Sequence, residues 1–186
     1  NMGGRRLAEE EVGKLFRKYN AGAHPANRTR LSSWDGRIRG EDIANLLVKN
    51  GFAHKPIFKK YEKTRGVFEV YPHPSIVVLF NLDKILKYKA KPKRDYEFRY
   101  NEFEKYIKHI KNLEKSETKL FIGNVLDKFD LRTLRGQKLK NFEDHLDSIL
   151  CAYISYYVWK NPDKCAVLGN MEKGYITTPV FDWMKK

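Results

Sequence analysis

The main hydrophobic segment of the chain is Asn141–Lys160, with the sequence NFEDHLDSILCAYISYYVWK. Three carboxylates lie near its start and the remainder is almost wholly apolar, which predicts a helix buried on more than one side. The expected core face is a stripe at helical spacing: Leu139, Phe142, Leu146, Ile149, Tyr153 and Tyr157. A second stripe begins with Asp144 and Asp147 and continues through apolar residues. The two aspartates therefore share one helix face, with Glu143 beside them.

The rest of the hydrophobic pattern predicts an α/β chain. Helical periodicity predicts helices over Arg5–Tyr19, Gly40–Asn50, Ile76–Leu82 and Tyr100–Leu113, with a short helical stretch over Leu120–Phe129. β-branched and aromatic residues bounded by turn residues predict strands over Val67–Tyr71, Cys165–Leu168 and Tyr175–Thr178, the last two as a hairpin. Ser75 and Asn141 are the expected N-caps of the helices that follow them. Residues 21–40 are expected to form a loop, and Lys84–Arg99 an exposed connector.

The acidic residues of the Asn141–Lys160 helix allow two interpretations. If Asn141 caps the helix, Glu143 and Asp144 lie in its first turn, where carboxylates offset the helix dipole. Asp147 lies beyond that turn, so the dipole does not explain it. A charge in this position is costly unless it is paired, hydrated or bound to a metal. Asp147 is therefore the strongest single candidate for a functional residue.

A second candidate carboxylate lies in the predicted strand Val67–Tyr71. Both faces of this strand are apolar except at Glu69, which indicates an inner strand with one carboxylate. A structural salt bridge from Glu69 to Lys or Arg is the alternative. His73 follows between two prolines, and a rigid turn packed by its imidazole is the alternative to a functional role.

Composition limits the class of protein. The 186 residues are expected to form a single domain, 1–186, with a sizeable core. No apolar run is long enough to span a bilayer, so no membrane association is expected. Cys151 and Cys165 lack metal-ligand spacing, which favours a reducing, cytoplasmic location over a disulfide scaffold. The oligomeric state is left open.

The net charge of +14 is unevenly distributed along the chain. Segments 66–83 and 141–186 are acidic, and the remainder is basic. Carboxylates that hold metal ions account for the acidic segments of this pattern. Lys and Arg that attract a polyanion account for the basic remainder. A Lys-rich composition that reflects solubility or a hot habitat is the alternative.

Candidates for binding nucleic acid lie in the predicted loop and connector. The guanidinium of Arg28 can hold a phosphate by a bidentate pair, although a solvated surface loop is the alternative there. Lys91, Lys93 and Arg94 belong to the basic connector and are expected to position a nucleic-acid backbone without reading its sequence.

Three segments in this order resemble one family. They are GAHPANR (Gly22–Arg28), FEVYPHPS with the following LFNLDKILKYK, and DHLDSILCAY (Asp144–Tyr153) with the later GYITTP. Together they are similar to the proteins described as domain of unknown function 429, which are predicted nucleases of the ribonuclease H-like fold. The DHLD helix also resembles the last helix of Holliday-junction resolvases, which has two acids at this three-residue spacing.

The resemblance implies a ribonuclease H-like mixed sheet flanked by helices. By position, Glu69 is then the strand carboxylate and Asp144 and Asp147 the helix pair, acting as catalytic residues and as ligands of Mg²⁺ or Mn²⁺. Arg28 and His73 are expected to line the cleft. Members of the family begin with further strands that supply two more aspartates. This chain is therefore expected to be N-terminally incomplete relative to the family, and helix-rich for that reason.

Two functions follow from these observations. The favoured one is a metal-dependent nuclease that hydrolyses phosphodiester bonds in RNA or DNA. The alternative is a non-catalytic nucleic-acid-binding or scaffold module that retains the fold. Resemblance in fold does not by itself fix function.

Overall fold

The computed structural model describes residues 4–185 and shows a helix-rich α/β chain. In chain order its elements are α1 (Leu7–Phe16), α2 (Arg28–Leu31), α3 (Arg39–Lys49), β1 (Ala53–His54), β2 (Gly66–Val67), α4 (Pro72–Leu79), α5 (Tyr96–Asn112), α6 (Gly136–Lys160), β3 (Cys165–Asn170) and β4 (Gly174–Pro179). Short 3₁₀ turns span Arg17–Tyr19, Leu113–Lys115, Val125–Lys128, Leu131–Thr133, Pro162–Lys164 and Asp182–Met184.

The chain divides into two compact units. Unit 1 comprises the described residues of Asn1–Ile85 and Tyr156–Lys186, and unit 2 is Leu86–Ser155. The strands form two pairs in the described residues, one parallel (β1 with β2) and one antiparallel (β3 with β4). Both pairs belong to unit 1.

In unit 1, α1 packs against the hairpin of β3 and β4. Ala8, Val12 and Phe16 recur every four residues along α1 and are fully buried, as the periodicity predicts for its core face. The two strands are antiparallel over their whole length, with Leu168 opposite Ile176, and both of these side chains are buried. The predicted first helix and the predicted hairpin are confirmed.

The contact between α1 and the hairpin depends on Gly169. Its φ of +88° lies in the region that side chains disfavour, and a Cβ there would lie 2.1 Å from the carbonyl oxygen of Gly174 and 3.0 Å from the backbone nitrogen of Ala8. The amide of Gly169 also donates a hydrogen bond of 2.7 Å to the carboxylate of Glu11 on α1. A glycine is therefore required for the helix to approach the strand this closely.

The strand predicted over Val67–Tyr71 is wrong beyond Val67, because β2 contains only Gly66 and Val67. Glu69 accepts one backbone hydrogen bond, from the amide of Thr177 to its carbonyl at 2.9 Å. Its own amide donates to the hydroxyl of Tyr175 at 3.3 Å. Since a side-chain oxygen takes the place of a strand carbonyl, the ladder does not continue along this segment.

The helix after this segment begins earlier than predicted. Pro72 is the first residue of α4, a position where the missing N–H of proline costs nothing. Ser75 therefore lies inside the helix, and its predicted role as an N-cap is wrong. Its hydroxyl contacts that of Thr178 at 3.1 Å, which ties α4 to β4.

Unit 2 is built around α5 and the part of α6 that ends at Ser155. The rings of Phe103 and Phe142 meet at a centroid distance of 5.7 Å. The fully buried apolar residues of these two helices are Phe103, Tyr106, Ile110, Leu139, Leu146, Leu150 and Ile154. The long apolar helix expected from the sequence is therefore confirmed.

The boundaries of these two helices differ from those predicted. Helix α6 begins at Gly136, so Asn141 is an interior residue that accepts a hydrogen bond from Gln137, and its predicted role as an N-cap is wrong. Helix α5 begins at Tyr96 because Asp95 caps it, accepting from the amide of Phe98 at 2.8 Å.

We expect Gly169→Ala to destabilise unit 1 more than Gly36→Ala does. Gly36 has a similar φ of +78°, but a Cβ there meets nothing within 4 Å. The Gly36 variant therefore measures the conformational cost alone, about 1 kcal/mol, whereas Gly169→Ala adds an overpacking cost of roughly 1–3 kcal/mol. Urea unfolding of both variants measures the difference. Equal losses would contradict the close approach of α1 to the hairpin.

Candidate functional site

Asp147 lies in a polar cluster within unit 2, and its side chain is only 16% exposed. Its Oδ1 accepts hydrogen bonds from the hydroxyls of Tyr88 at 2.8 Å and Tyr106 at 3.3 Å. Its Oδ2 accepts from the ammonium of Lys89 at 2.9 Å. The charge that the sequence singled out is thus paired with one cation and two hydroxyl donors, which offsets its desolvation.

The two tyrosines are held in the protonated form that donates to Asp147. Burial raises the pKa of Tyr88 well above its ordinary value, and the nearby Tyr106 and Asp147 raise it further. Burial likewise raises the pKa of Tyr106, and the charge of Asp147 adds to the effect. Both hydroxyls therefore stay protonated, and able to donate, near neutral pH.

Glu143 is buried beside Asp147 and is surrounded by basic groups. Its carboxylate lies 2.9 Å from Lys140 Nζ, 3.5 Å from the guanidinium of Arg99 and 3.8 Å from Lys89 Nζ. Because α6 begins at Gly136, Glu143 lies beyond the first turn, and its predicted position there is wrong. Lys89 Nζ thus lies within ion-pair distance of both Glu143 and Asp147.

Asp144 differs from its two neighbours in exposure. Its side chain is 60% exposed and pairs with Lys140 one turn earlier in α6. Burial lowers the pKa of Lys140, but its hydrogen bonds to Asp144 and Glu143 outweigh burial and raise it overall. Asp144 is therefore part of a surface ion pair, while Asp147 belongs to the buried cluster.

Glu69 lies in unit 1 and is bound by Arg6. The two terminal nitrogens of Arg6 donate to the two oxygens of Glu69 at 2.8 and 2.6 Å, a bidentate arrangement. Arg6 also binds the buried Glu9 through Nε at 2.6 Å. The hydrogen bond with Glu69 raises the pKa of Arg6 above its already high value. Glu69 has the structural salt bridge that was the alternative to a catalytic role, and its side chain is 42% exposed.

Metal ligation by Glu69, Asp144 and Asp147 stays a prediction. Across residues 4–185, no group of three or more His, Cys, Asp or Glu side chains comes together as a set that could hold a metal ion. Each of the three carboxylates pairs with a basic side chain. The donors present therefore do not fit a Mg²⁺ or Mn²⁺ centre in this arrangement.

Arg28 and His73, predicted to line a cleft, both have partners in unit 1. One terminal nitrogen of Arg28 donates to both oxygens of Glu41 at 2.8 Å, with the two side chains about half exposed. Nδ1 of His73 lies 2.7 Å from the hydroxyl of Tyr71. A phosphate that uses the same nitrogen of Arg28 would have to displace Glu41.

The connector predicted to bind nucleic acid contains an ordered segment, residues 87–94, which we call the basic loop. Arg94 donates to the backbone carbonyls of Lys87 and Lys89 at 3.1 and 3.0 Å. From α5, Arg99 donates to the carbonyl of Tyr88 at 2.9 Å, and Glu102 accepts from the amide of Lys87. Arg94 thus fixes the backbone of the loop, and its predicted contact with nucleic acid stays a prediction.

Lys91 and Lys93 are the exposed cations of the basic loop. Within the described residues, neither side chain has a hydrogen bond or an ion pair. Both are therefore available to an anion without the loss of an existing contact.

The anchors of the basic loop were missed from the sequence. Arg99 and Glu102 are both buried on the inner face of α5, next to Phe103. A charged residue on the apolar face of a helix needs a partner. The position of Arg99 and Glu102 on the apolar face of α5 is therefore the sequence signal that could have identified them as anchors.

The cysteines are free thiols with little nucleophilic character. Burial raises the pKa of Cys151 to about 11 and that of Cys165 to about 12. Because the thiolate is the reactive form, neither is a candidate nucleophile near neutral pH.

The fold and the site define a helix-rich α/β protein with a charge-compensated acidic cluster and an exposed basic loop. A family model described as Protein of unknown function (DUF429) matches residues 1–173, and the chain belongs to this family. No curated protein and no solved structure matches the chain. Among the helices of residues 4–185, none has the length and apolar character needed to cross a membrane.

We expect Asp147→Asn to destabilise the metal-free protein by about 1–3 kcal/mol, because it removes the charge that Lys89, Tyr88 and Tyr106 satisfy. Asp144→Asn is the matched control on the same helix, and its exposed pair with Lys140 predicts a loss below about 1 kcal/mol. Melting curves with and without Mn²⁺ measure both effects. An unchanged melting temperature for Asp147→Asn, with stabilisation by Mn²⁺ in the wild type only, would instead support a metal ligand.

Glu102 gives the stability of the basic loop a pH dependence. Burial opposes its ionisation, but hydrogen bonds from Lys105 and from the amide of Lys87 outweigh burial and lower its pKa below 4.5. The ionised Glu102 therefore makes its full contribution to the free energy of unfolding above about pH 4.5. This contribution is lost as the pH falls through the lowered pKa of the folded state. The difference in unfolding free energy between wild type and Glu102→Gln should shrink over that acidic range. A difference independent of pH, or an equal one for the exposed Glu104→Gln, would contradict this assignment.

Proposed function

We propose that this chain is a nucleic-acid-binding module whose unit 2 uses the basic loop to bind phosphates. The observation that supports this proposal is the contrast within the loop. Its backbone is fixed by Arg94, Arg99 and Glu102, while Lys91 and Lys93 remain exposed and without ion partners in the described chain.

An ordered loop favours binding because less conformational entropy is lost when the ligand arrives. Lysine ammonium groups bind phosphate as point charges and do not distinguish one base from another. The overall charge of +14 adds long-range attraction for a polyanion. Weak binding without sequence preference, and steeply dependent on salt, is therefore the expected behaviour.

A metal-dependent nuclease of the ribonuclease H-like fold is the second candidate. Glu143 and Asp147 favour it, because they converge on one cation, Lys89 Nζ, at 3.8 and 2.9 Å. Binding of Mg²⁺ or Mn²⁺ at these carboxylates requires that Lys89 leave them. The ligand roles of Glu69 and Asp144 and the nucleic-acid contacts of Arg28 and His73 stay predictions of this candidate. Location in the cytoplasm belongs to the same proposal.

We expect the double variant Lys91→Gln, Lys93→Asn to bind nucleic acid more weakly without losing stability. Asparagine is chosen at position 93 because the φ of Lys93 is +67°, which asparagine tolerates. The slope of log affinity against log salt should fall by roughly 1.8 for a duplex, since two phosphate contacts are lost. Titration of labelled duplex and single strands at several salt concentrations measures affinity and slope together.

The control is the double variant Lys108→Gln, Lys115→Gln, which removes the same charge from exposed positions of unit 2. It should change the slope much less. Equal effects of the two variants would show that overall charge and not the loop determines binding. Cleavage of either strand type that requires Mn²⁺ and is lost in Asp147→Asn would favour the nuclease candidate over a module that only binds.

A further inference from the structure

A basic groove in unit 1 lies on the exposed face of α1. Its volume is about 600 Å³, and it is lined by Arg5, Glu10, Gly13, Lys14, Arg17 and Lys18. Positions 10, 13, 14 and 17 share one helix face, opposite the buried Ala8, Val12 and Phe16. Gly13 is itself buried and has no side chain, and a Cβ there would lie 3.8 Å from a terminal nitrogen of Arg5.

The groove carries an excess of positive charge. Four of the six lining residues are basic and one is acidic. Lys14, Arg17 and Lys18 form no ion pair with any residue between 4 and 185. Cations near the end of a helix stabilise its dipole, which accounts for Lys14.

An aromatic side chain adjoins this groove. Trp183 is 57% exposed, and the ammonium of Lys18 lies 3.8 Å from the centroid of its ring. On the same segment, Phe181 stacks with Trp183 at an interplanar angle of 13°. The ammonium of Lys18 thus lies over the ring of Trp183, and more than half of the Trp183 residue is accessible.

We infer that this groove is a binding site for single-stranded nucleic acid, in which Arg5, Lys14 and Arg17 contact phosphates and a base stacks on Trp183. A basic groove beside an exposed aromatic ring is the combination that binds single strands. A duplex does not offer an unstacked base to Trp183, so its binding gains only from the charges. The inference rests on the proposed nucleic-acid-binding function and specifies the form of the substrate.

The first test observes Trp183 directly. The chain contains three tryptophans, Trp34, Trp159 and Trp183, so the protein labelled with 5-fluorotryptophan gives one fluorine NMR signal for each. Trp183→Phe assigns the third signal. Addition of oligo(dT) should shift the Trp183 signal and leave that of Trp159 unchanged, while a duplex of equal length should shift it much less. An unchanged Trp183 signal at saturating oligo(dT) would overturn the inference.

The second test measures affinity. Trp183→Ala should weaken binding of oligo(dT) roughly 5- to 100-fold, as expected for the loss of one stacked base, and should leave duplex binding nearly unchanged. Trp183→Phe should retain most of the affinity because it retains a ring. Equal weakening for single strand and duplex, or no weakening, would contradict stacking.

The third test separates the groove from overall charge. Lys14→Gln with Arg17→Gln should lower the salt slope for a single strand by roughly 1.4, since two contacts are lost. Lys59→Gln with Lys60→Gln is the control, because it removes the same charge from exposed positions of unit 1, and Lys60 also lies near an aromatic ring, that of Tyr61. Equal effects of the two pairs would overturn the groove as a site.

These tests distinguish failure of the inference from failure of the proposed function. If the wild type binds neither strand type at low salt, the proposed function is wrong. If it binds and responds to the Lys91 and Lys93 variant, but not to changes at Lys14, Arg17 or Trp183, only the groove is wrong.

Discussion

The need to compensate the charge of Asp147 is the constraint on which unit 2 depends. A carboxylate that is 16% exposed within an apolar helix costs several kcal/mol unless donors surround it. Tyr88 and Lys89 supply two of those donors, and both belong to the basic loop. The conformation of the loop is therefore coupled to the neutralisation of the helix. As a result, Lys91 and Lys93 are exposed on an ordered backbone and not on a disordered connector.

Unit 1 satisfies its acidic residues with a different cation and a different geometry. Arg6 binds Glu9 on α1 and Glu69 on the segment that follows β2, so one guanidinium joins two elements. The solvent face of α1 has the opposite character, since Lys14 and Arg17 pair with no acid among residues 4–185. The arginine that precedes α1 thus stabilises the fold, while Lys14 and Arg17, near the end of the helix, are presented to solvent.

Local pattern predicted the elements better than it predicted their ends. Periodicity was sufficient for α1, α3 and the hairpin, because their apolar positions are regular and their turn residues are explicit. It failed at Ser75, whose hydroxyl bonds to Thr178, 103 residues later in the chain. The sequence also identified Asp147 as a charge that needs a partner. It did not identify that partner, because Lys89 is 58 residues away and looks like any other lysine of a basic connector.

The compensating cations differ in how readily another ion can replace them. Arg6 binds Glu69 through two parallel hydrogen bonds, a rigid arrangement that a competing ion must break twice. Lys89 contributes one ammonium on a flexible side chain that is 34% exposed. If a phosphate on the basic loop withdraws Lys89, Asp147 and Glu143 lose a shared positive charge and their attraction for any other cation increases. By linkage, a cation at those carboxylates releases Lys89 and strengthens phosphate binding by the same factor. If unit 2 binds both a polyanion and a cation, as the two candidate functions require, the two events are coupled through this single side chain.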